Sequence, residues 1–387
     1  MIDRMAVGEL AKKHHVQLRD AAGTLRHEEC FTRDGFDGPY TIAYHARRPH
    51  THRVVEPHHG WQLPVQHGSD LERPLAKRHY KSGALGARGG SQLDDRIALL
   101  FNDDLASGVA FPTVDDPIYS ADADADTLIY VHAGGGTLRS LFGDVPFGPG
   151  DYVFVPRGLL HRFVLAGTPN HWFWFTLNGG LHVPEQFRNE VGQLRMDAPY
   201  SARDFTRPVF RGELDEGIRD LAVKRGGRWH QFALADSPLD VVGWDGTVYP
   251  WAFPILNFQP RVSSIHLPPT WHGTFAAKGT LICSFVPRPL DFHPDAIPCP
   301  YPHSSTHCDE IIFYAAGNFT SRRGVAPGSI SHHPMGIPHG PHPGAYEGSI
   351  GATRTDELAV MADVFLPLRA TAAALDIEDA GYQTSFL

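Results

Sequence analysis

Short apolar runs broken by glycine and proline are the feature of this sequence that most limits its fold. The 39 Gly and 32 Pro among 387 residues favour short strands and turns over long helices. Strands spaced this evenly indicate a sandwich or jelly roll, so the fold class is predicted to be all-β. The runs include TLIYVHAGGGTLRSLFG, VPFGPGDYVFVPRG and HWFWFTL in the first half, and GTLICSFVP, DEIIFYAAGNF and GSISHHP in the second.

The chain is long enough for two packed units, because it exceeds the usual size of one hydrophobic core. We predict an N-terminal domain over residues 1–235 and a C-terminal domain over residues 236–387. The stretch 181–235 is rich in Asp and Arg and has few strand signals, which suits a segment that links or flanks the two halves. Residues 1 to about 115 predict an irregular N-terminal arm that leads into a first sheet. The tail after Thr355 predicts a strand and then a short helix.

Charge and composition exclude several partners. A formal net charge of −9 without a long basic run gives no reason to expect nucleic acid as a partner. The N-terminal stretch lacks the apolar core of a signal peptide, and no segment is apolar enough to span a bilayer, so we expect a cytoplasmic protein without membrane contact. The spacing of the four cysteines predicts neither a disulfide framework nor a zinc knuckle.

Histidine is the unusual component of this sequence. The 24 His compare with 34 Lys and Arg together, and they bunch at residues 44–67, 266–272, 293–307 and 332–342. Because imidazole titrates near neutral pH and binds metals, chemistry is expected in these clusters. The first cluster has no acidic partner at ligand spacing, so a surface or interface position is predicted for it.

The segments YPHSSTHCDEIIFYAAGNF and IPHGPHPG offer a set of metal ligands. His303 and Glu310 lie in the first, and His339 follows 29 residues after Glu310. Two imidazoles and one carboxylate form the facial triad that suits iron(II), because three coordination positions stay open. Seven residues separate His303 from Glu310, so the chain between them must loop for both to face inward. His307 is the alternative first ligand, and His342 the alternative last one.

The two halves repeat one pattern with a difference. GPGDYVFVPRGLLH in the first half and APGSISHHPMGIPHG in the second each join a Gly-rich turn, an apolar strand and a Pro, Gly and His group. The second half also has His and Glu upstream, as in cupins that bind a metal. The first half therefore predicts a degenerate, metal-free cupin, with Tyr130 and His132 where ligands would stand. The aromatic run 172–175 predicts core or interdomain packing.

Further side chains are candidates for the same site. His266 or His272, on either side of a Pro-Pro turn, is a candidate for the base that removes a phenolic proton, with a structural role as the alternative. His333 is a candidate for orienting substrate or dioxygen. Arg322 and Arg323 could attract a carboxylate, and exposed surface arginines are the alternative.

The stretches DVVGWDGTVYPWAF, LICSFVPRPLDFHPDAIPCPY, HSSTHCDEIIFYAAGNF and PHGPHPG resemble the homogentisate 1,2-dioxygenase family, particularly its shorter bacterial members. A moderate likeness in VGELAKKHHVQLRD and EECFTRDGFDGPYTIAYH extends the resemblance over nearly the whole chain. The resemblance implies a bicupin of two jelly-roll-like β-sandwich domains and iron(II) as cofactor. It also implies a trimer or hexamer, and cleavage of homogentisate, a small aromatic acid, by dioxygen to a maleyl product.

The resemblance also implies roles for particular residues. The ligands of the family fall on His303, Glu310 and His339. The upstream catalytic His falls on His266, and the His before the last ligand falls on His333.

One position departs from the family pattern and leaves the substrate open. Phe319 stands where members commonly carry a Tyr, nine residues after the ligand Glu, whose hydroxyl contacts the substrate. The missing hydrogen bond is worth on the order of 1 kcal/mol. Gentisate or another substituted hydroquinone is therefore an alternative substrate. Outside this chemistry, the alternatives are a non-enzymatic bicupin and a zinc-dependent cupin sugar isomerase, which would need a basic sugar-phosphate pocket.

Overall fold

Short β-strands dominate the computed structural model, which describes residues 2–57, 68, 70, 72–262, 264, 272–304, 307–319 and 321–387. Apolar runs become strands where glycine and proline provide the turns between them. In chain order, the strands of the first half are β1 Met5–Gly8, β2 His27–Thr32, β3 Tyr40–His45, β4 Arg53–Pro57, β5 Arg78–Lys81, β6 Ile97–Phe101, β7 Leu105–Ala110, β8 Tyr119–Asp122, β9 Asp126–Ala133, β10 Gly136–Ser140, β11 Gly143–Phe147, β12 Asp151–Val155, β13 His161–Leu165 and β14 His171–Leu177.

The second half continues the pattern, with a few short helices near its end. Its strands are β15 Asp220–Arg225, β16 Arg228–Ala233, β17 Val241–Gly246, β18 Trp251–Pro254, β19 Gly273–Ala277, β20 Thr280–Phe285, β21 Arg288–Pro289, β22 Asp309–Ala316, β23 Ser329–His333, β24 Arg354–Thr355, β25 Leu358–Val364 and β26 Arg369–Ala370. The helices are α1 Ala345–Gly348 and α2 Ala372–Asp376, with 3₁₀ turns at Ser82–Ala84, Glu185–Phe187, Ala202–Asp204, Ile255–Asn257 and Gln383–Phe386. Within the described ranges, no helix has the length and apolar composition needed to cross a membrane.

Two seven-stranded sheets pack into the first sandwich. Their strand orders are β11-β10-β13-β8-β15-β16-β4 and β18-β12-β9-β14-β7-β6-β26. The rings of Phe147, Phe163 and Trp172 fill space between the sheets, with centroids 5.3 to 5.7 Å apart. The run 172–175 is buried throughout, so the prediction of a packing role for it is confirmed.

The stretch 181–235 contains two sheet strands, although its sequence has few strand signals. β15 and β16 form an antiparallel hairpin, and β15 runs parallel to β8 in the first sandwich. Between them, Gly226 and Gly227 have φ angles of 57° and 70°, the left-handed conformation of a tight hairpin turn. The polar sequence of β16 concealed the strand, because a half-buried strand needs apolar residues on one face only.

The N-terminal segment is also more regular than the predicted irregular arm. β1, β2 and β3 form a four-stranded sheet with β17, in the order β1-β17-β3-β2. β4 joins the first sandwich, and β5 joins the main sheet of the second. These strands pair with distant parts of the chain, and local sequence carries no information on such pairing.

A six-stranded sheet, in the order β19-β20-β25-β22-β23-β5, forms the main layer of the second unit, and β21 pairs with β24. Side chains along β22 alternate between two environments. Glu310, Ile312 and Tyr314 line a cavity, whereas the Phe313 ring stacks on Phe173 of β14 at 4.8 Å. β22 therefore separates the cavity from the first sandwich.

The predicted all-β bicupin class is confirmed by this strand arrangement. The short C-terminal helix is also confirmed, as α2, where the Thr371 side chain accepts a hydrogen bond from the Ala374 N–H. The boundary between residues 235 and 236 stays a prediction. Strands from both sides of it share sheets, since β17 and β18 pair with β3 and β12, and β5 pairs with β23.

Candidate metal centre

Glu310 and His333 face each other across two antiparallel strands. They are direct partners in the register of β22 and β23, so their side chains leave the sheet on the same face. His333 Nδ1 lies 2.5 Å from Glu310 Oε1, and both residues are buried. Because a carboxylate only accepts hydrogen bonds, His333 Nδ1–H is the donor.

His303 and His339 come from the loops that flank this strand pair. Their backbones form an isolated bridge in which each N–H donates to the carbonyl of the other at 2.8 Å. The two ring centroids are 4.3 Å apart. His303 lies before β22 and not within it. This agrees with the loop that was predicted between His303 and Glu310 from their spacing.

The three predicted ligands converge on one carboxylate oxygen. Glu310 Oε2 lies 3.9 Å from His303 Nε2 and 3.8 Å from His339 Nε2. One donor atom of each residue lies within 4.8 Å of the other two. Among the described residues, this is the one group of His, Cys, Asp or Glu side chains that is close enough to hold a metal ion in this way.

Burial and neighbouring charges act on these groups in opposite directions. Burial would raise the pKa of Glu310, but the imidazoles of His303, His333 and His339 lower that pKa well below its ordinary value. The Glu310 carboxylate raises the pKa of His303 against the effect of burial. Burial lowers the pKa of His333 to about 3 despite its hydrogen bond to Glu310. The site therefore favours an ionised carboxylate beside a neutral His333.

The nitrogen atoms of the two proposed histidine ligands fit a metal ion. His339 is 2% exposed, and neither of its ring nitrogens has a hydrogen-bond partner in the described part of the chain. Buried polar atoms rarely stay unsatisfied, and a metal ion would satisfy one of these nitrogens. His303 Nδ1 lies 3.1 Å from the Tyr301 carbonyl, an arrangement that keeps the proton on Nδ1 and leaves the Nε2 lone pair for a metal. Two imidazoles and one carboxylate suit a divalent transition metal.

The alternative ligands lie elsewhere. His307 is exposed and is not part of the group. His342 is buried, but its Nε2 lies 2.8 Å from Ser385 Oγ, so this nitrogen already has a partner. His332 lies 2.9 Å from Asp309 and makes no contact with Glu310 comparable to that of His333.

A cavity of about 680 Å³ lies beside the three ligands. His303 and Glu310 form part of its wall, and Tyr314 lies further along the same face of β22. Apolar side chains, including Phe285 and Met361, line much of the remainder. A space of this size can hold a small aromatic molecule in contact with the ligand group.

The candidates for acid–base chemistry have different positions. His266 lies outside the described residues. His272, the alternative, is 6% exposed, lines the cavity and stacks on the Phe285 ring at 4.4 Å. His333 is fully buried behind Glu310 and is not part of the cavity wall, so it contacts a predicted ligand and not the space where a substrate would fit.

Of the two adjacent arginines, Arg322 lines the cavity and Arg323 is exposed. The Arg322 guanidinium donates to the Gly340 carbonyl, while its buried Nε has no hydrogen-bond partner among the residues that the structure describes. Arg288 is another cation in the cavity wall, 3.8 Å from the carboxylate of Glu357. The cavity can therefore offer positive charge to an acidic substrate.

Sequence reasoning missed Tyr314 and Tyr382. Tyr314 follows Glu310 by four positions on one strand, so the two-residue strand period could have placed it on the same face. The Tyr382 hydroxyl lies 3.4 Å from His333 Nε2, although 49 positions separate the two residues. No local pattern marks that contact.

Tyr130 and His132, the residues predicted to stand where ligands of a first cupin would be, lie against the second unit. Their rings lie 5.9 Å and 5.3 Å from the ring of Phe313, on β22 of the second unit. Phe173, from the neighbouring β14, stacks on the same ring. These side chains therefore join the two sandwiches.

The comparisons with known proteins agree with the site. The family model for the homogentisate 1,2-dioxygenase N-terminal domain matches residues 112–255. A putative dioxygenase of Saccharolobus solfataricus is 36% identical over 386 residues, which cover 98% of this chain and 97% of that protein. A homogentisate 1,2-dioxygenase of Rhodopseudomonas palustris is 30% identical over 275 residues, which cover 67% of this chain and 59% of that protein.

Among solved structures, a cupin 2 conserved barrel domain protein from Leptotrichia buccalis is similar to this chain. It is 10% identical, has a TM-score of 0.33, and the match covers 76% of this chain and 98% of that one. The protein of Saccharolobus solfataricus aligns along almost its whole length. The chain belongs to the homogentisate 1,2-dioxygenase family.

Proposed function

We propose that the protein is an iron(II)-dependent ring-cleaving dioxygenase that acts on a hydroquinone carboxylate, with homogentisate, converted to maleylacetoacetate, as the leading substrate. The observation that carries this proposal is the convergence of His303, Glu310 and His339 beside a cavity of about 680 Å³. Two imidazoles and one carboxylate suit non-haem iron(II) with open positions on one face. Membership of the family supports the reaction class.

The first contribution of the protein to the proposed reaction would be to hold the metal ion through its ligands. When bound, iron(II) would supply adjacent positions for substrate and dioxygen and would allow electron transfer between them. Glu310 would offer one oxygen only, because Oε1 accepts the hydrogen bond from His333 and Oε2 faces His303 and His339. This arrangement would keep the remaining positions open.

Arg322 is the proposed partner of the substrate carboxylate. Its guanidinium lies in the cavity wall and retains an Nε without a hydrogen-bond partner in the described ranges. A guanidinium forms short, charge-assisted hydrogen bonds with carboxylates. The apolar part of the wall would pack on the ring and exclude water from it.

The proposed base is His266, with His272 as the alternative in the cavity wall. A neutral imidazole in reach of the phenol would take its proton when the substrate binds. Separate His266→Gln and His272→Gln variants distinguish the two. We expect the acidic limb of the pH–rate profile to disappear in the variant that has lost the base, and to remain in the other.

The central test is metal removal followed by measurement of oxygen uptake. We expect the protein treated with a chelator to consume no oxygen on homogentisate, and iron(II), but not zinc(II), to restore uptake. Full activity in the metal-free protein would refute the proposal. An iron-loaded protein that consumes no oxygen with any hydroquinone would favour the non-enzymatic bicupin.

A second candidate substrate is gentisate or another substituted hydroquinone, because Phe319 provides no hydroxyl. Phe319 is 7% exposed and packs on the Tyr314 ring at 4.8 Å. Rates of oxygen uptake on homogentisate, gentisate and unsubstituted hydroquinone separate the possibilities. A kcat/KM at least tenfold higher for gentisate would replace homogentisate as the substrate. The trimer or hexamer implied by the family resemblance is checked by light scattering after size-exclusion chromatography.

A further inference from the structure

Tyr382 links the C-terminal tail to the proposed metal centre. Its side chain is 3% exposed, and its hydroxyl lies 3.4 Å from His333 Nε2. His333 Nδ1–H donates to Glu310 Oε1, and the opposite ring nitrogen, Nε2, faces the Tyr382 hydroxyl. Hydroxyl, imidazole and carboxylate thus form one chain of hydrogen bonds.

The tail is held in this place by contacts that do not involve the proposed ligands. Gln383 Oε1 accepts a hydrogen bond from the Lys77 N–H at 2.8 Å. The Glu378 carboxylate accepts from Arg73 and Arg78, each at 2.9 Å. These partners lie at or next to β5, which pairs with β23, the strand that carries His333. The position of the Tyr382 hydroxyl is therefore set by the surrounding structure.

Ser331, two positions before His333 on β23, connects this strand to the cavity. Ser331 Oγ lies 3.0 Å from the Tyr314 hydroxyl. Tyr314 lines the cavity. β23 therefore carries two hydrogen-bonded side chains, His333 toward a proposed ligand and Ser331 toward the cavity wall.

We propose that Tyr382 is a positioning residue of the metal centre, which acts through His333 to keep Glu310 Oε1 turned away from the metal and Oε2 turned toward it. Without the Tyr382 hydroxyl, the His333 ring would lose its hydrogen-bond partner at Nε2, the nitrogen opposite to the one that contacts Glu310. A carboxylate released from His333 could bind a metal with both oxygens and take a position that substrate or dioxygen needs. The inference rests on the metal centre of the proposed function and not on the identity of the substrate.

Tyr382→Phe tests this inference, because it removes the hydroxyl and keeps the ring. Cobalt(II), which reports its coordination through visible absorption, is titrated into the metal-free protein. We expect the affinity for cobalt(II) to fall roughly 10- to 100-fold, as for other changes outside the ligand shell, and the visible bands to shift. Far-UV circular dichroism checks that the variant retains its fold.

Tyr249→Phe is the matched control. Tyr249 is 2% exposed, and its hydroxyl donates to Asp3 Oδ1 at 2.8 Å, in contact with the N-terminal segment and not with the metal centre. This variant also loses one buried hydroxyl. We expect its affinity for cobalt(II) and its visible spectrum to match those of the unaltered protein.

A double-mutant cycle tests whether the effect passes through His333. In a His333→Gln background, Tyr382→Phe should cause no further loss of cobalt(II) affinity. Equal affinity and spectrum in Tyr382→Phe and the unaltered protein would overturn the inference, and so would full additivity in the cycle. An unaltered protein that binds iron(II) without any oxygen uptake would refute the proposed function and leave this inference standing.

Discussion

The two units are both built from β-sheets and differ in what lies against those sheets. Between the sheets of the first, the rings of Phe147, Phe163 and Trp172 pack at van der Waals distances. Against the main sheet of the second, a cavity of about 680 Å³ remains, with the buried carboxylate of Glu310 at its wall. β-Sheets thus enclose a hydrophobic core in one unit and line a candidate site in the other.

The difference indicates that the first unit contributes mainly to stability and that the second unit carries the candidate site. Close-packed aromatic rings stabilise the first unit, whereas a cavity and a buried charge both cost stability in the second. The first unit also supports the second, because Phe173 packs on Phe313, on the face of β22 opposite to Glu310. Substitutions in the two units should therefore affect different measured quantities.

The largest effect is expected for Glu310→Gln. It removes the charge and a ligand oxygen, so the loss of iron(II) affinity should exceed the roughly 10- to 100-fold typical of outer-shell changes. The matched control is Asp116→Asn in the first unit, where burial raises the pKa of Asp116 to about 7. Metal content is measured by elemental analysis. Full occupancy of iron in the Glu310→Gln variant would show that Glu310 is not a required ligand.

The next effect concerns the first unit. Phe163→Ala should lower the free energy of unfolding by about 3–5 kcal/mol, because it opens a cavity in a packed aromatic cluster. The measurement is urea denaturation followed by circular dichroism. Iron(II) affinity of the folded variant should be unchanged. A large loss of that affinity would show that packing in the first unit also determines metal binding in the second.

A pH effect on stability is expected from His45, in the N-terminal sheet. Burial would lower the pKa of His45, but a hydrogen bond to Asp240 and an ion pair with Glu29 raise it to about 9. The charged form therefore stabilises the fold fully below pH 6.5, the unfolded value, and this contribution disappears as pH rises through 9. The free energy of unfolding of the unaltered protein should exceed that of His45→Gln by on the order of 2–3 kcal/mol at pH 6.

The control for His45 is the same pair of proteins at pH 10. There the unaltered protein has lost the charge, so the difference between the two free energies of unfolding should shrink. A difference that is constant between pH 6 and pH 10 would contradict the assignment to this histidine.

The smallest effect is expected at the cavity wall. Arg322→Gln should raise KM for an acidic substrate roughly 10- to 100-fold, since a hydrogen bond to a charged group contributes about 1.5–3 kcal/mol. Arg323→Gln is the matched control, because Arg323 is exposed and does not line the cavity. Steady-state oxygen uptake gives KM and kcat for each variant. An equal rise of KM in the two variants would remove Arg322 from substrate binding.

Sequence patterns predicted the features that depend on neighbouring residues. The all-β class followed from short apolar runs between turns, and the candidate ligands followed from His and Glu spacing near such runs. The hairpin at Gly226 and Gly227 was missed because its strands are polar on one face, although the Gly-Gly turn was a usable signal.

Contacts between distant segments could not be predicted in this way. Nothing in the tail indicates that Tyr382 lies beside His333, and nothing near Tyr130 indicates that its ring faces Phe313. These contacts depend on how whole sheets pack. The ligand roles of His303, Glu310 and His339 stay predictions, although the structure brings the three side chains together.

The pairing of β5 with β23 has a consequence for biosynthesis. His79 Nε2 and Ser329 Oγ lie 2.8 Å apart, although 250 positions separate them in the chain. β5 therefore leaves the ribosome long before its partner, and Tyr382 follows all three candidate ligands. Pairing over such distances is slow, and it exposes an unpaired strand edge until the partner arrives. We expect the candidate metal centre to be complete only after the chain has been synthesised as far as Tyr382.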